Sequence, residues 1–534
     1  MSMKNKLPKG SCLEDGCAHE AHHKGIGRRD FLYNLGLAGA GTLALSGLPV
    51  NKLFASPALS SLLANAGNRI LVIIRMKGGN DGLNTFVPVF DYGTYSSNRP
   101  VLKIDSANLL ALDNKYSVPD YAVSLKDLWD AGKMKVIQNV GYDNPDLSHF
   151  VSTDIWDSAN TGVGEKSGWL GRYLWDQNPD FITQPPADPL AIHIGGDGNI
   201  LFFNEDNINM AMNVIDPVAL YNIAQTGSLY TVTGNAPCYY QDQVDFMKSM
   251  INSTYYQSQS IHDAYNAGAN AVAFPNGLGE AMSLVSRLIK GGLGTKIYML
   301  TIDGFDTHAG QDTKHPDLLT EFSDSVKAFY NDLAAGSKDQ DVLLMTFSEF
   351  GRRVHDNGSR GTDHGTAAPL MLFGPALGGN GFLGDDVNLG DLDIVGNLKY
   401  KIDFRQVYAS VLRDWLCTDE LTTDTILGDA YTKLSLGFSC DDVSARDIES
   451  IQQLHQLRYE NGLAFVHLNL PKSANVKLEA FDLLGRKLVS TQNDYYSAGA
   501  HRMNIPGINK WTAGAYLYKV YINGKMEGGK LQKY

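Results

Sequence analysis

The chain has few cysteines, a shortage of positive charge and no long hydrophobic run. Its 534 residues include 5 cysteines, and 45 Lys and Arg stand against 58 Asp and Glu, a formal net charge of −13. Excess negative charge repels nucleic-acid phosphates and anionic lipids, so the composition disfavours nucleic-acid binding. No apolar run reaches the roughly 20 residues of a membrane-spanning helix, so we predict no transmembrane segment.

The remaining composition is that of a folded, multidomain protein. Hydrophobic residues make up 43% of the chain and charged residues 19%, which is enough to bury a sizeable core. A chain of this length is expected to form about two to four domains. An acidic surface also suits an exported protein, or one that gathers divalent cations.

Residues 1–55 have the pattern of an N-terminal tail with an export signal. Arg28 and Arg29 are followed by Phe31-Leu32 and by a weakly apolar, Gly- and Ala-rich stretch that ends at Pro49. This pattern resembles a twin-arginine (Tat) signal, which implies export of a folded protein by the Tat translocase. The alternative is an ordinary amphipathic helix.

The cysteines separate into two groups. Cys12 and Cys17 lie in a Cys/His-rich tract before the arginines, without the close spacing of structural zinc sites, and we interpret this tract as a disordered leader. The other three are Cys238, Cys417 and Cys440. An odd number cannot form a complete disulfide framework, so a bridge between Cys417 and Cys440 is the most that we predict.

Short apolar runs alternate with helical patterns in the middle of the chain. The runs are β-branched-rich and cover residues 70–76, 136–140, 190–194, 297–302, 342–347 and 370–373. Between them, helical spacing places apolar residues on one face at Leu318, Phe322, Val326, Phe329 and Leu333, after a first turn at Pro316, and again along residues 404–416. Alternating strands and helices predict an α/β domain with a mostly parallel central sheet flanked by helices.

Chemistry in such sheets collects on the loops at the carboxyl ends of the strands. The polar residues at these positions are Asp81, Ser148, His149, Asp303, Asp306, His308, Glu349, Arg352, Asp363 and His364. Mixed carboxylate and imidazole ligands suit Zn, Mn or Fe, and such a metal polarises a phosphoryl or sulfuryl oxygen or activates a water or serine. Ser148 and His149 are adjacent, so no catalytic triad is predicted. The alternative is that these residues cap helices and satisfy local carbonyls.

Several motifs together resemble a secreted bacterial family, domain of unknown function 1501. They are Gly78-Gly79-Asn80-Asp81-Gly82, Ser148-His149-Phe150, Gly168-Trp169-Leu170-Gly171-Arg172, Asp306-Thr307-His308, Ser348-Glu349-Phe350-Gly351-Arg352 and Gly361-Thr362-Asp363-His364-Gly365. The resemblance covers residues 66–440. It implies an alkaline-phosphatase-like domain of the superfamily that includes sulfatases.

The resemblance also implies roles for individual residues. Metal ligands would be Asp81, Asp306, His308 and His364, with Glu349 and Asp363 in or behind this shell, while Ser148 would attack and Arg352 would steady an anionic ester. Phe350 stands where the superfamily has a second-site histidine, so one metal is better supported than two. A second alignment takes Asp363-His364 as the superfamily's Asp-His pair.

The last part of the chain changes character. Residues 441–460 are polar and charged and are interpreted as a linker helix, and residues 461–534 alternate as short strands, with a turn at residues 499–502. This spacing predicts a small antiparallel β-sandwich. The series Asp482-Leu483-Leu484-Gly485-Arg486 and residues 513–518 resembles the type A sorting domain of the type IX secretion system, which implies a Bacteroidetes-type bacterium. The alternative is a carbohydrate-binding or spacer module.

Two functions are consistent with these features. The first is a metal-dependent hydrolase of phosphate or sulfate esters, exported by the Tat translocase and the type IX secretion machinery to the cell surface or beyond, where it would meet an extracellular anionic ester or glycan. The second is a non-catalytic surface protein on a hydrolase-derived scaffold that binds glycans or a partner protein.

Overall fold

The computed structural model describes residues 69–440, with gaps at 163, 180, 183–184, 196–199 and 232–238, and residues 455–533, with gaps at 461–462, 471–473, 483–485, 492–493, 498, 513 and 523–524. The predicted export signal, the Cys/His-rich tract, Cys238 and most of the predicted linker lie outside the described residues. The chain divides into two compact units, Met1–Cys440 and Asp441–Tyr534. Among the described helices none is long and apolar enough to cross a membrane.

The first unit consists of strands and helices in alternation. Its strands are β1 Ile70–Lys77, β2 Val87–Pro88, β3 Leu109–Ala111, β4 Tyr116–Pro119, β5 Met134–Gly141, β6 Ala191–Ile194, β7 Ala211–Asn213, β8 Ile297–Asp303, β9 Val342–Phe347, β10 Gly351–Arg352, β11 His364–Gly365, β12 Ala368–Phe373, β13 Gly381–Leu383 and β14 Ile402–Asp403. Its helices are α1 Gly82–Thr85, α2 Tyr92–Asn98, α3 Val123–Asp130, α4 His149–Ser158, α5 Trp169–Gln177, α6 Pro217–Gln225, α7 Tyr239–Ala267, α8 Leu278–Lys290, α9 Gln311–Ala335, α10 Phe404–Ser410 and α11 Glu420–Leu427.

A nine-stranded sheet forms the centre of this unit. Its order is β13-β5-β12-β9-β1-β8-β6-β7, with β14 beside β5. The central strand β1 pairs in parallel with β8, from Leu71 opposite Ile297, and with β9, from Ile70 opposite Val342. The predicted α/β architecture with a mostly parallel sheet is therefore confirmed, and the six predicted strands lie within two residues of their expected bounds.

Strand β12 differs from the other long strands because it runs antiparallel to both β5 and β9. We expected it to be parallel. After β9 the chain forms the antiparallel pair β10–β11, with Arg352 opposite His364, and does not return to the other edge of the sheet. Since β12 begins at the edge where β9 ends, it can only run in the opposite direction.

The two faces of the sheet are covered by separate hydrophobic cores. Alternate residues of β1 point to opposite faces, so Val72 and Ile74 belong to one core and Leu71 and Ile73 to the other. Helix α9 buries its predicted apolar face, in which Phe322, Val326, Phe329 and Leu333 are fully buried and Leu318 is partly buried. The helix begins at Gln311, so Pro316 lies inside it and not in its first turn. Residues 404–415 are helical, which ends one residue before the predicted bound of 416, and the last five form a π-helical turn, Val411–Trp415, after α10.

The described part of the second unit consists of antiparallel strands and one 3-10 turn, Ile508–Lys510. The strands are β15 His455–Glu460, β16 Leu463–Leu470, β17 Ala474–Asp482, β18 Lys487–Ser490, β19 Asp494–Tyr496, β20 Gly499–Asn504, β21 Gly514–Ile522 and β22 Lys525–Lys533. They form the sheets β15-β16-β20 and β18-β17-β21-β22, with β19 beside β17, and side chains of both sheets share one core. Two predictions were wrong here: residues 499–502 lie in a strand paired with β16, not in a turn, and the end of the predicted linker helix is β15.

Candidate metal centre

Three potential metal ligands converge at the carboxyl edge of the central sheet. His149 begins α4 after β5, Asp306 lies in the loop after β8, and His364 begins β11. One ligand atom from each side chain lies within 4.8 Å of the other two. The loops that follow parallel strands meet at one edge, and this geometry brings together side chains that are more than 50 residues apart in sequence.

Hydrogen bonds fix the orientation of both imidazoles. His149 Nδ1 lies 2.8 Å from Glu349 Oε1, and His364 Nδ1 lies 2.8 Å from the Leu147 carbonyl oxygen. Both partners can only accept, so we assign the proton of each ring to Nδ1. The Nε2 atoms then face Asp306, at 3.5 Å for His149 and 3.2 Å for His364. Two imidazole lone pairs and one carboxylate thus point at a common place, which fits a divalent metal.

Asp306 is held ionised and accessible. Its Oδ1 accepts hydrogen bonds from Arg352 at 2.7 Å and lies 2.8 Å from His308 Nδ1. Partial burial raises the pKa of Asp306, but the hydrogen bond from Arg352 and the positive charge of its guanidinium outweigh this effect and hold the pKa well below its usual range. The side chain is 46% exposed, so a ligand can reach it from solvent.

Glu349 and Phe350 are buried residues that contact the histidines of the cluster. Glu349 is buried, and its Oε1 also accepts from the Gly78 backbone N–H at 2.8 Å. The buried Phe350 ring lies with its centroid 4.9 Å from the His149 ring and 4.2 Å from the His364 ring. A Cβ atom on Gly79 would meet the Phe350 ring at 2.7 Å, and the φ of Gly79 is +89°. Glycine at this position therefore lets the ring pack beneath the imidazoles.

Arg352 has a structural role that the sequence did not reveal. We expected it to bind an anionic ester, but it is buried, and its donors are used within the protein. Besides Asp306, they contact backbone carbonyl oxygens of Gly78, Gly79 at 2.9 Å, Phe305 at 2.8 Å and Thr362 at 2.8 Å. Arg352 therefore links the loops that carry these carbonyl oxygens and orients Asp306.

The structure does not bring Asp81 into the cluster either. Asp81 is buried, its Oδ2 lies 2.5 Å from Arg99 Nη1, and its Oδ1 accepts from the first N–H groups of α1. Burial raises the pKa of Asp81, but the charge and hydrogen bond of Arg99 lower it by more than this, so the pKa lies below its ordinary value. This is a buried ion pair and helix cap.

The other predicted site residues lie at or beside the cluster. His308 contacts Asp306, its ring centroid is 4.6 Å from that of His364, and its side chain is 46% exposed. Asp363 accepts from Asn357 Nδ2 at 3.1 Å and is not a member of the cluster. Ser148 is the residue before His149 and precedes the first turn of α4.

His149 is the ligand that sequence reasoning missed. It was considered only as a partner for Ser148, whereas its position after a buried strand was the same signal that identified Asp306. Applied to every histidine at a strand end, that rule would have included it.

Comparison with known proteins gives the following matches. The sequence model of a family described as "Protein of unknown function (DUF1501)" matches residues 238–430. No curated protein matches the sequence. Among solved structures, a protein in the alkaline phosphatase superfamily from Vibrio parahaemolyticus is 10% identical with a TM-score of 0.27, covering 96% of this chain and 93% of that one.

Two further structures are similar in the same distant way. A sulfatase from Pseudoalteromonas sp. is 9% identical with a TM-score of 0.31, covering 89% of this chain and 91% of that one. Alkaline phosphatase from the Antarctic bacterium TAB5 is 10% identical with a TM-score of 0.26, covering 59% of this chain and 94% of that one. These superpositions are loose, so the α/β architecture described above rests on the sheet itself.

Proposed function

We propose that the protein is a metal-dependent hydrolase of phosphate or sulfate esters. The observation that carries this proposal is the convergence of His149 Nε2, His364 Nε2 and the Asp306 carboxylate on one place. These three residues would hold Zn, Mn or Fe. A bound metal would supply Lewis-acid polarisation of the ester oxygen.

The residues of the chain would divide the remaining work. Ser148 would act as the nucleophile; its position directly before the proposed ligand His149, at the N-terminus of a ten-residue helix, supports this role. The helix N-terminus favours negative charge, which suits the oxygens of an anionic ester. His308 would exchange a proton with solvent or with a leaving group, and its exposure beside Asp306 supports this role.

We also propose that the protein acts outside the cytoplasm, with the sequence patterns near Arg28 and after residue 461 as its export signals. The disulfide between Cys417 and Cys440 supports this proposal, because such bonds persist in oxidising compartments.

Metal analysis and ester turnover test the proposed reaction. Purified wild type is expected to contain about one equivalent of Zn, Mn or Fe and to hydrolyse an aryl phosphate or aryl sulfate, and the variant His149→Ala/His364→Ala should lose both properties. Ser148→Ala should keep the metal and lose turnover. The exposed His355 provides a matched control, since His355→Ala should change neither. Wild type that stays empty when offered these metals would contradict the proposal.

The second candidate is a non-catalytic surface protein that binds a glycan or a partner protein. Arg352, which we predicted to bind an anion, already donates to backbone carbonyls. This observation favours the second candidate, because the arginine is not available to an anionic ester. Metal binding without turnover of either ester class, in wild type as in Ser148→Ala, would favour this candidate.

A further inference from the structure

Gln311 is a buried polar residue that lies between two loops of the candidate metal centre. It is the first residue of α9 and directly follows loop 304–310, which carries Asp306. Its backbone N–H donates at 2.8 Å to a carbonyl oxygen of loop 353–363, which ends directly before His364. The side chain of Gln311 is therefore within reach of the loops of two of the three potential ligands.

The amide oxygen of Gln311 is shared by one buried threonine from each loop. Oε1 accepts from Thr307 Oγ1 at 3.0 Å and from Thr362 Oγ1 at 2.6 Å. Gln311 Nε2 donates to Asp81 Oδ2, and because a carboxylate can only accept, a reversed amide would place two oxygens against each other. Asp81 thus fixes the orientation of the amide, and Arg99 Nη1 in turn holds Asp81 at 2.5 Å.

The separation of the two loops sets the separation of the ligands that they carry. Asp306 Oδ1 and His364 Nε2 are 3.2 Å apart. The Thr362 N–H donates to the Thr307 carbonyl at 3.2 Å, near the upper limit for such a bond, and the two hydroxyls on one amide oxygen add a second link. Because this second link is buried, its hydrogen bonds are stronger than they would be in water. Groups that hold metal ligands in place change metal affinity without touching the metal.

We propose that Gln311 is a positioning residue of the metal centre: anchored by Asp81, its amide oxygen holds the loops of Asp306 and His364 at the separation that one divalent ion requires. Gln311 itself contacts neither metal nor substrate. The metal part of this inference rests on the proposed function, whereas the coupling of the two loops does not. Asp81, which is not a member of the cluster, thereby acts on it through Gln311.

Metal affinity of the full chain tests the positioning role. Gln311→Met keeps the length of the side chain and removes both hydrogen-bonding groups, so titration with Zn²⁺ at pH 7 should give an affinity about 10- to 100-fold below that of wild type. Thr362→Val removes one of the two hydroxyls at nearly constant shape and should also weaken binding. Thr362→Ser restores the hydroxyl and should bind Zn²⁺ as wild type does.

A buried hydroxyl at the opposite edge of the sheet supplies the matched control. Thr295 lies just before β8, is buried, and donates from Oγ1 to the Pro189 carbonyl at 2.7 Å. Thr295→Val also breaks a buried hydrogen bond between two distant segments, so it should lower stability as Thr362→Val does. It should leave Zn²⁺ affinity unchanged, because no potential ligand lies in either segment.

Hydrogen exchange tests the coupling of the loops without metal. In metal-free wild type the Thr362 N–H is bonded to the Thr307 carbonyl. In metal-free Gln311→Met, a peptide that contains Thr362 should exchange about tenfold faster than in wild type, because local opening becomes easier. Peptides from β9 should exchange as they do in wild type.

The outcomes separate the two proposals. Equal Zn²⁺ affinity of wild type and Gln311→Met would overturn the inference, and so would a loss of affinity in Thr295→Val as large as that in Thr362→Val. If Gln311→Met does not fold, the comparison of Thr362→Val with Thr362→Ser decides. If wild type binds no metal at all, the proposed function fails, and hydrogen exchange still decides whether Gln311 couples the loops.

Discussion

The two histidines of the candidate metal centre differ in the residue that holds Nδ1. His149 is held by the Glu349 carboxylate and His364 by the neutral Leu147 carbonyl. The hydrogen bond to Glu349 raises the pKa of His149, while burial lowers the pKa of His364. A proton therefore competes with the metal for His149 up to a higher pH than it does for His364. His149 thus controls the pH dependence of metal binding.

Replacing Glu349 tests this difference. Glu349→Gln keeps an acceptor but removes the charge, so we expect metal affinity at pH 8 to fall about 10- to 100-fold. Affinity in wild type should decrease as pH falls through the raised pKa of His149, and in Glu349→Gln this decrease should begin at a lower pH. Calorimetric titration with Zn²⁺ between pH 5.5 and 8 measures both effects.

The control for this variant is Glu280→Gln, which removes an exposed carboxylate from the first turn of α8. It should leave the affinity and its pH dependence unchanged. Equal affinity of wild type and Glu349→Gln across the range would show that Glu349 does not act on His149.

At the scale of elements, local sequence patterns determined the strands and the buried face of α9, but not the roles of the site residues. The periodicity of Phe322 and Val326 depends only on neighbours along the helix, and it was read correctly. The role of Arg352 depends mainly on the carbonyls of Gly78, Gly79 and Phe305, which are more than 40 residues away. The direction of β12 depends on a hairpin that was not recognised. Contacts of this kind have no local signal.

The buried face of α9 also makes a prediction about stability. Phe322 is fully buried between the helix and the sheet, so Phe322→Ala should lower the free energy of unfolding of the first unit by about 3–5 kcal/mol through lost burial and a cavity. Denaturant unfolding followed by tryptophan fluorescence reports on this unit, because Trp129, Trp156, Trp169, Trp175 and Trp415 lie in it.

Asp317 on the same helix is exposed and supplies the control. Asp317→Ala should change the free energy of unfolding by no more than about 0.5 kcal/mol. If both variants unfolded alike, α9 would not be part of the cooperative core.

At the scale of the whole molecule, the chain combines an α/β unit that carries the candidate metal centre with an antiparallel unit that has its own core. The disulfide from Cys417 to Cys440 closes a loop at the end of the first unit, and Arg69, the first described residue of that unit, donates to the Ser439 carbonyl at 2.6 Å. The beginning and the end of the described part of the first unit are therefore joined by contacts within that unit. In the function proposed above, the first unit would carry the metal chemistry and the second would direct sorting.

That division predicts where truncated and altered chains will be found. In a bacterium with both Tat and type IX machineries, wild type should reach the cell surface or medium. Exchange of Arg28 and Arg29 for Lys should retain it in the cytoplasm, and deletion of residues 461–534 should leave it in the periplasm with its metal bound. Exchange of Lys4 and Lys6 for Arg is the matched control and should not alter export. Immunodetection in cell fractions gives the location, and surface delivery of the chain without residues 461–534 would contradict the sorting role, because nothing else in the predicted itinerary crosses the outer membrane.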